Sequence, residues 1–176
     1  MPADVRYWLL KSESDCFSIQ DLKGAKNQTT FWDGVRNYQA RNFLRDDMKP
    51  GDGVLYYHSG GEAPAVVGTA KIVRAGYPDH TAENPKADHY DPKHTAASPI
   101  WYMVDVKLEE IFPRELALAE LRGVPALRDM ELLRKGSRLS VQPVRKAEFD
   151  TVVRLAHEKV GNQKSEVGGR KRAGKV

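Results

Sequence analysis

The sequence has a single cysteine, Cys16, so it can form neither an intramolecular disulfide nor a four-cysteine zinc site. Long apolar runs are also missing. The longest one near the start, residues 7–10, lies between Arg6 and Lys11. This run is too short for a signal peptide or a membrane span. We therefore expect a protein with no membrane partner, located in the cytoplasm, or in the nucleus if the source is a eukaryote.

Several sequence motifs that are typical of particular enzyme classes are absent too. The sequence has no Gly-x-x-x-x-Gly-Lys phosphate loop, no dinucleotide-binding fingerprint and no Gly-x-Ser-x-Gly elbow. We also find no internal repeat. These absences disfavour nucleotide hydrolysis, nicotinamide chemistry and the common serine hydrolases, and we expect no cofactor.

Positive charge is in excess at only one end of the chain. The whole sequence has 28 basic and 24 acidic residues, for a net charge of +4. Residues 159–176 hold six of the basic residues and one acidic residue, which leaves 22 and 23 for residues 1–158. The body is nearly neutral, so any affinity for a polyanion must come from local groups. We predict one domain over residues 1–158 and a disordered basic tail over residues 159–176.

Hydrophobic periodicity predicts an α+β domain. Strands are predicted at residues 5–10, 54–58, 65–73, 101–108 and 139–144. Helical segments are predicted after Ser18, after Asn37, and at residues 114–121, 127–133 and 145–157, with a long polar loop over residues 77–99. Alternation in the third strand places Val66, Gly68, Ala70 and Ile72 on one face. Several strands separated by turns fit a barrel-like sheet with flanking helices.

Two groups of residues could be mistaken for reactive centres. The loop that carries His80, His89 and His94 offers metal-ligand types, but its spacing matches no metal motif, and we predict solvated side chains and no metal. His58 and Ser59 could be drawn as part of a hydrolytic triad. They are neighbours in a strand and point to opposite faces, so we do not expect a triad.

Polar and aromatic residues concentrate in four segments, namely residues 11–13, 32–38, 56–59 and 140–143. Trp32 is either a core residue or a wall on which a flat ligand stacks. Arg36 could bind a phosphate or pair with Asp33 or Asp46. Glu13 and Gln142 could bind the polar edge of a base, although each taken alone is more typical of a solvated side chain.

Together these segments resemble the EVE domain family. The most specific are Trp32-Asp33-Gly34-Val35-Arg36-Asn37-Tyr38 and Leu139-Ser140-Val141-Gln142-Pro143-Val144, and the match runs in order over residues 5–157. One departure is Ser14, where the family often has a proline. The resemblance implies a PUA-like fold, a twisted β-barrel with flanking helices. It also implies a pocket for a modified nucleobase flipped out of DNA or RNA.

Carried over residue by residue, the resemblance places the pocket at ten positions. They are Lys11, Ser12, Glu13, Trp32, Arg36, Asn37, Tyr57, His58, Ser59 and Gln142. Aromatic faces and fixed polar groups are what recognition of a flipped base requires. We therefore expect a monomeric binding module without catalytic residues. Two alternatives stay open: an enzyme of the same fold that uses Glu13 and Lys11 as acid and base, and a protein or RNA interaction module.

Overall fold

A computed structural model describes residues 4–60 and 63–158, and the predicted basic tail lies outside these residues. The strands are β1 (Tyr7–Glu13), β2 (Thr29–Trp32), β3 (Gly53–Ser59), β4 (Ala65–Pro78), β5 (Tyr102–Ala117) and β6 (Val141–Val144). The α-helices are α1 (Ile19–Gly24), α2 (Tyr38–Asn42, continued by a π-helical turn over Phe43–Asp47), α3 (Leu118–Arg122) and α4 (Lys146–Ala156). Short 3₁₀ segments cover Lys26–Gln28, His80–Glu83, Pro125–Leu127 and Glu131–Leu133.

The strands form one mixed sheet in the order β2-β5-β4-β3-β1-β6. Strands β1 and β3 pair in parallel, with Leu9 opposite Leu55, whereas the pairs β1–β6, β2–β5, β3–β4 and β4–β5 are antiparallel. The predicted α+β class with flanking helices is confirmed. Within the described residues the predicted barrel is not closed, because the strands at the two edges of the sheet, β2 and β6, each have four residues and do not pair with each other.

Side chains on the two faces of the sheet build two apolar clusters. Alternation along β1 places Leu10 in the first cluster, with Trp32 and Tyr56, and Leu9 in the second, with Tyr57. Helices α1 and α2 cover the first cluster, whereas α3 and α4 cover the second. The sheet is therefore packed against an apolar cluster on each of its faces.

Local sequence signals predicted the starts of α1 and α2. The hydroxyl of Ser18 accepts a hydrogen bond from the amide of Asp21, whose carboxylate accepts one from the Ser18 amide, so α1 begins in a capping box. Asn37 caps α2 by accepting from the amide of Ala40 at 3.0 Å. None of the helices in the described part of the chain is long and apolar enough to cross a bilayer.

Two predictions about the sheet were wrong. Residues 114–117 continue β5 instead of forming a helix, because β5 follows β4 to the pairing of Ala65 with Ala117. The predicted common face of β4 is broken by a register shift between Val66 and Gly68, so Val66 packs in the second cluster and Ile72 in the first.

Candidate functional site

A cleft of about 610 Å³ lies at the open seam of the sheet, which is the gap between its two edge strands, β2 and β6. One wall comes from β2 at one edge of the sheet, and the other comes from the end of β1 and from the residue before β6. The lining residues are Lys11, Ser12, Glu13, Cys16, Phe17, Thr30, Phe31, Trp32, Asp33, Gly34, Val35, His89 and Ser140. Its volume lies within the range of roughly 300–1,000 Å³ that is usual for small-ligand sites.

Trp32 joins the cleft to the core. Its side chain is 8% exposed and packs edge-on against Tyr56, with ring centroids 5.3 Å apart. The carbonyl of Phe17 accepts hydrogen bonds from the hydroxyls of Tyr56 and Ser12, each at 2.8 Å. Burial raises the pKa of Tyr56, so its hydroxyl remains a donor throughout the physiological range. Trp32 is thus a core residue that also lines the cleft, and its stacking on a flat ligand stays a prediction.

Asp79 holds the loop that follows β2 and continues this wall. Its fully buried carboxylate accepts hydrogen bonds from the amide of Gly34 and from the guanidinium of Arg36, both at 2.9 Å. Thr81 donates to the same carboxylate through its amide and its hydroxyl. Burial alone would raise the pKa of Asp79, but these hydrogen bonds outweigh it and lower the pKa. The carboxylate is therefore ionised whenever the fold is intact at neutral pH.

Gly34 allows the loop to approach His89 closely. Its φ of +80° is unfavourable for other residues, and a methyl group on it would lie 2.9 Å from the imidazole Nδ1 of His89. Arg36 donates to the backbone carbonyl of His89 at 2.7 and 2.9 Å. The cleft thus gains a residue from the loop between β4 and β5, far away in the sequence.

The mouth of the cleft is acidic and contains the cysteine. Glu13 and Asp33 are exposed there. The Sγ atom of Cys16 lies 3.6 Å from a carboxylate oxygen of Glu13. This hydrogen bond, together with desolvation and the negative charge of the same carboxylate, raises the pKa of Cys16. Cys16 is therefore present as the thiol rather than the thiolate at neutral pH.

Four of the ten predicted site residues line the cleft: Lys11, Ser12, Glu13 and Trp32. The ammonium group of Lys11 lies 5.8 Å from the ring centroid of Tyr57, which belongs to the second cluster. Desolvation lowers the pKa of Lys11, partly offset by Glu131. The Lys11 head group is thus directed along the face of the sheet opposite to Trp32.

Three predicted residues of β3 do not line the cleft. Tyr57 is buried in the second cluster, and burial raises its pKa. The Nε2 atom of His58 accepts a hydrogen bond from the amide of Ile19 at 3.1 Å, at the start of α1. Burial lowers the pKa of His58, which favours the neutral ring that this bond requires. Ser59 pairs with Glu13 in the sheet register.

The other three predicted residues support the walls. Asn37 caps α2, and Arg36 joins the loop after β2 to Asp79 and His89 in the loop between β4 and β5. Gln142 is fully buried and donates from its amide nitrogen to the carbonyl of Leu139 at 3.0 Å. This bond fixes the bend that presents Ser140 to the cleft.

Sequence reasoning did not single out His89, Phe17 or Phe31 as pocket residues. Phe17 and Phe31 adjoin segments that were recognised, so proximity in sequence was the available signal. His89 had no such signal, because it reaches the cleft only through its contacts with Gly34 and Arg36.

The model of one protein family, the EVE domain, matches residues 6–155 of the chain. The chain belongs to the EVE domain family. "Thymocyte nuclear protein 1" of Gallus gallus is 45% identical over an alignment of 171 residues, and the match covers 87% of this chain and 69% of the relative. The resemblance found in the sequence is thereby confirmed.

Solved structures agree with the EVE assignment. The crystal structure of human THYN1 protein in complex with DNA that contains 5-methylcytosine has a TM-score of 0.82 and 42% identity. That match covers 88% of this chain and 99% of the human one. The YTH domain of Zygosaccharomyces rouxii MRB1, at 13% identity and a TM-score of 0.51 over 90% of this chain and 88% of its own, shares the fold. The predicted PUA-like fold is confirmed by these likenesses.

Proposed function

We propose that this EVE domain binds a modified nucleobase of a nucleic acid in the cleft at the open seam, with 5-methylcytosine in DNA as the leading candidate. The observation that carries the proposal is the cleft itself. It combines the wall of Trp32 and Phe31 with the acceptor groups of Glu13 and Asp33 in about 610 Å³. A flat, partly apolar ligand with hydrogen-bond donors on its edge suits such a site.

The chemistry of the lining favours a base over a phosphate. Carboxylates repel phosphate, whereas they accept hydrogen bonds from an exocyclic amino group such as that of cytosine. A methyl group on the base adds apolar surface, which an aromatic wall accommodates without leaving a polar atom unpaired. The lining therefore favours a methylated, amino-bearing base.

The human relative supports the same ligand class, because it was crystallised with DNA that contains 5-methylcytosine and is 42% identical to this chain. The predicted cytoplasmic or nuclear location would give the domain access to nucleic acid. The proposed partner is DNA or RNA that carries a modified base.

We further propose that the domain binds the base without chemically changing it. The acid–base pair suggested by the sequence, Lys11 and Glu13, is not joined, since the Lys11 ammonium lies over Tyr57. Cys16 has a raised pKa and is a poor nucleophile. Incubating the protein with 5-methylcytosine DNA and measuring the mass of the released nucleosides tests this point, and unchanged masses are expected.

The binding proposal is tested by titrating short oligonucleotides at fixed salt. The panel carries 5-methylcytosine, 5-hydroxymethylcytosine, N6-methyladenine or unmodified bases, in DNA and in RNA. One methyl group in an apolar site corresponds to a preference of roughly 10- to 200-fold. We expect 5-methylcytosine to be preferred over cytosine, and single-stranded or mismatched sites to bind more tightly than a perfect duplex, since extrusion from a duplex costs a few kcal/mol. Equal affinities across the panel would contradict the proposal.

A further inference from the structure

An exposed tyrosine stacks on a buried tryptophan beside the cleft. Tyr38, the first residue of α2, is 61% exposed, although its ring stacks on that of Trp101 at a centroid distance of 4.9 Å and an interplanar angle of 27°. A ring covered on both faces would expose only its edge. Tyr38 therefore keeps much of its surface open to a ligand, although the guanidinium of Arg41 also lies over its ring.

The ring beneath Tyr38 is held firmly in place. Trp101 is 5% exposed, and its indole Nε1 donates to the carboxylate of Asp91 at 2.7 Å. Its backbone amide donates to Nδ1 of the buried His94 at 3.0 Å. Tyr38 thus rests on a fixed support, so a ligand that stacks on it need not order that support first.

Two arginines accompany this aromatic pair. The guanidinium carbon of Arg41 lies 5.0 Å from the ring centroid of Tyr38, and that of Arg36 lies 5.4 Å from the ring centroid of Trp101. Arg36 is paired with Asp79. Arg41 instead donates to two neutral acceptors, the side chain of Asn42 at 2.8 Å and the carbonyl of Ile100 at 2.7 Å. Its charge is therefore not neutralised by these bonds and suits a phosphate.

The aromatic pair is continuous with the cleft. Val35 and His89 line the cleft, and Arg36 joins them to the pair by its bonds to the carbonyl of His89 and its position over Trp101. Tyr38 follows two residues later in the chain. A strand whose base enters the cleft would therefore pass close to the exposed ring of Tyr38.

We propose that Tyr38 is a stacking platform for an unpaired base next to the one held in the cleft, and that Arg41 contacts a phosphate of the same strand. This inference rests on the proposed function, since it extends the cleft into a site for a strand. An aromatic face with a neighbouring arginine is the combination by which proteins bind single-stranded nucleic acid. The stack is indifferent to base identity, so selectivity stays in the cleft.

The first test compares Tyr38→Ala and Tyr38→Phe on two ligands. One is a single-stranded DNA 7-mer with a central 5-methylcytosine, and the other is the nucleotide 5-methyl-2′-deoxycytidine monophosphate. We expect Tyr38→Ala to weaken 7-mer binding roughly 5- to 150-fold, the loss of one base–aromatic stack. The mononucleotide has no neighbouring base, so its affinity should not change. Tyr38→Phe keeps the ring and should bind both ligands like the wild type.

The second test measures the salt dependence of 7-mer binding for Arg41→Gln. Removing one phosphate contact should reduce the slope of log K against log salt by about 0.7. Arg128→Gln is the matched control, because Arg128 has a side chain that is 80% exposed and adjoins the second cluster through Leu127. Its slope should change less than that of Arg41→Gln, and an equal change would contradict the phosphate contact.

Other outcomes overturn the inference. Unchanged 7-mer binding by folded Tyr38→Ala would mean that the ring only covers Trp101 or serves a protein partner. Equal losses for the 7-mer and the mononucleotide would mean that Tyr38 shapes the cleft. Failure of the proposed function looks different, namely equal wild-type affinity for methylated and unmodified 7-mers. In that case a Tyr38→Ala loss on both 7-mers would still support the platform.

Discussion

Trp32 serves the core and the cleft at once, which decides how it should be mutated. Because its ring is 8% exposed and packs on Tyr56, Trp32→Ala should lower the free energy of unfolding by about 3–5 kcal/mol. Urea unfolding measures this loss. Trp32→Phe keeps an aromatic ring and should cost less stability, while still weakening binding of 5-methylcytosine DNA. If Trp32→Phe binds with wild-type affinity, the indole is not part of the base-binding wall.

Asp79 gives the cleft a dependence on pH. Its carboxylate is fully buried and accepts from Gly34, Arg36 and Thr81. Asp79→Asn should therefore lower the free energy of unfolding at pH 7 by about 1.5–3 kcal/mol, the usual value for hydrogen bonds to a charged group. Because the folded state lowers this pKa below 3.8, the contribution is present above that pH and is lost as pH falls through the folded value.

The measurement is a pair of urea titrations, at neutral pH and at about pH 3. The stability gap between wild type and Asp79→Asn should be smaller at the acidic pH. Asp88→Asn is the matched control, since Asp88 is an exposed carboxylate of the same loop and should show little loss at either pH. A gap that does not narrow in acid would mean that Asp79 acts by shape rather than by charge.

At the scale of elements, Gly68 holds β4, β5 and α1 together at the register shift. A methyl group there would lie 2.3 Å from the carbonyl oxygen of Glu110 and 2.4 Å from Cδ1 of Ile19. Gly68→Ala should therefore destabilise the domain by about 1–3 kcal/mol. Gly24→Ala is the control, because a methyl group there meets nothing within 4 Å, and it should stabilise by about 0.4–1 kcal/mol. Thermal unfolding of both variants checks the opposite signs.

The same elements show what local sequence can and cannot predict. The caps at Ser18 and Asn37 were predictable because their hydrogen bonds close within three residues. The length of β5 was not, because its residues 114–117 have a helical pattern and become a strand only by pairing with Val66 and its neighbour in β4. Tertiary pairing overrode propensity there.

The residues of the candidate site likewise include some that the sequence could predict and some that it could not. Ser12, Glu13 and Trp32 were predictable through the family motifs, and the structure places them on one cleft. His89 was not, since its position depends on a glycine and an arginine more than 50 residues earlier in the chain. Strand alternation explains why Tyr57, although it lies within the recognised segment 56–59, packs on the opposite face from Tyr56.

For the whole molecule, the excess of basic residues and the proposed binding cleft belong to different parts of the chain. The body holds 22 basic and 23 acidic residues, and the basic excess lies in residues 159–176, outside the described part. Truncation after Val160 should flatten the salt dependence of binding, because fewer counterions are released. The preference for 5-methylcytosine over cytosine should persist. Loss of that preference on truncation would place the tail within the site.

The position of Cys16 has a practical consequence. The only thiol of the sequence stands at the mouth of the cleft, exposed and 3.6 Å from Glu13. A fluorophore or a disulfide-linked fragment attached there would report on the cleft without any engineered residue. Because the pKa of this thiol is raised, attachment is most efficient in mildly alkaline buffer. A base that occupies the cleft should slow the labelling of Cys16, so the labelling rate would rank different bases on the unmutated protein.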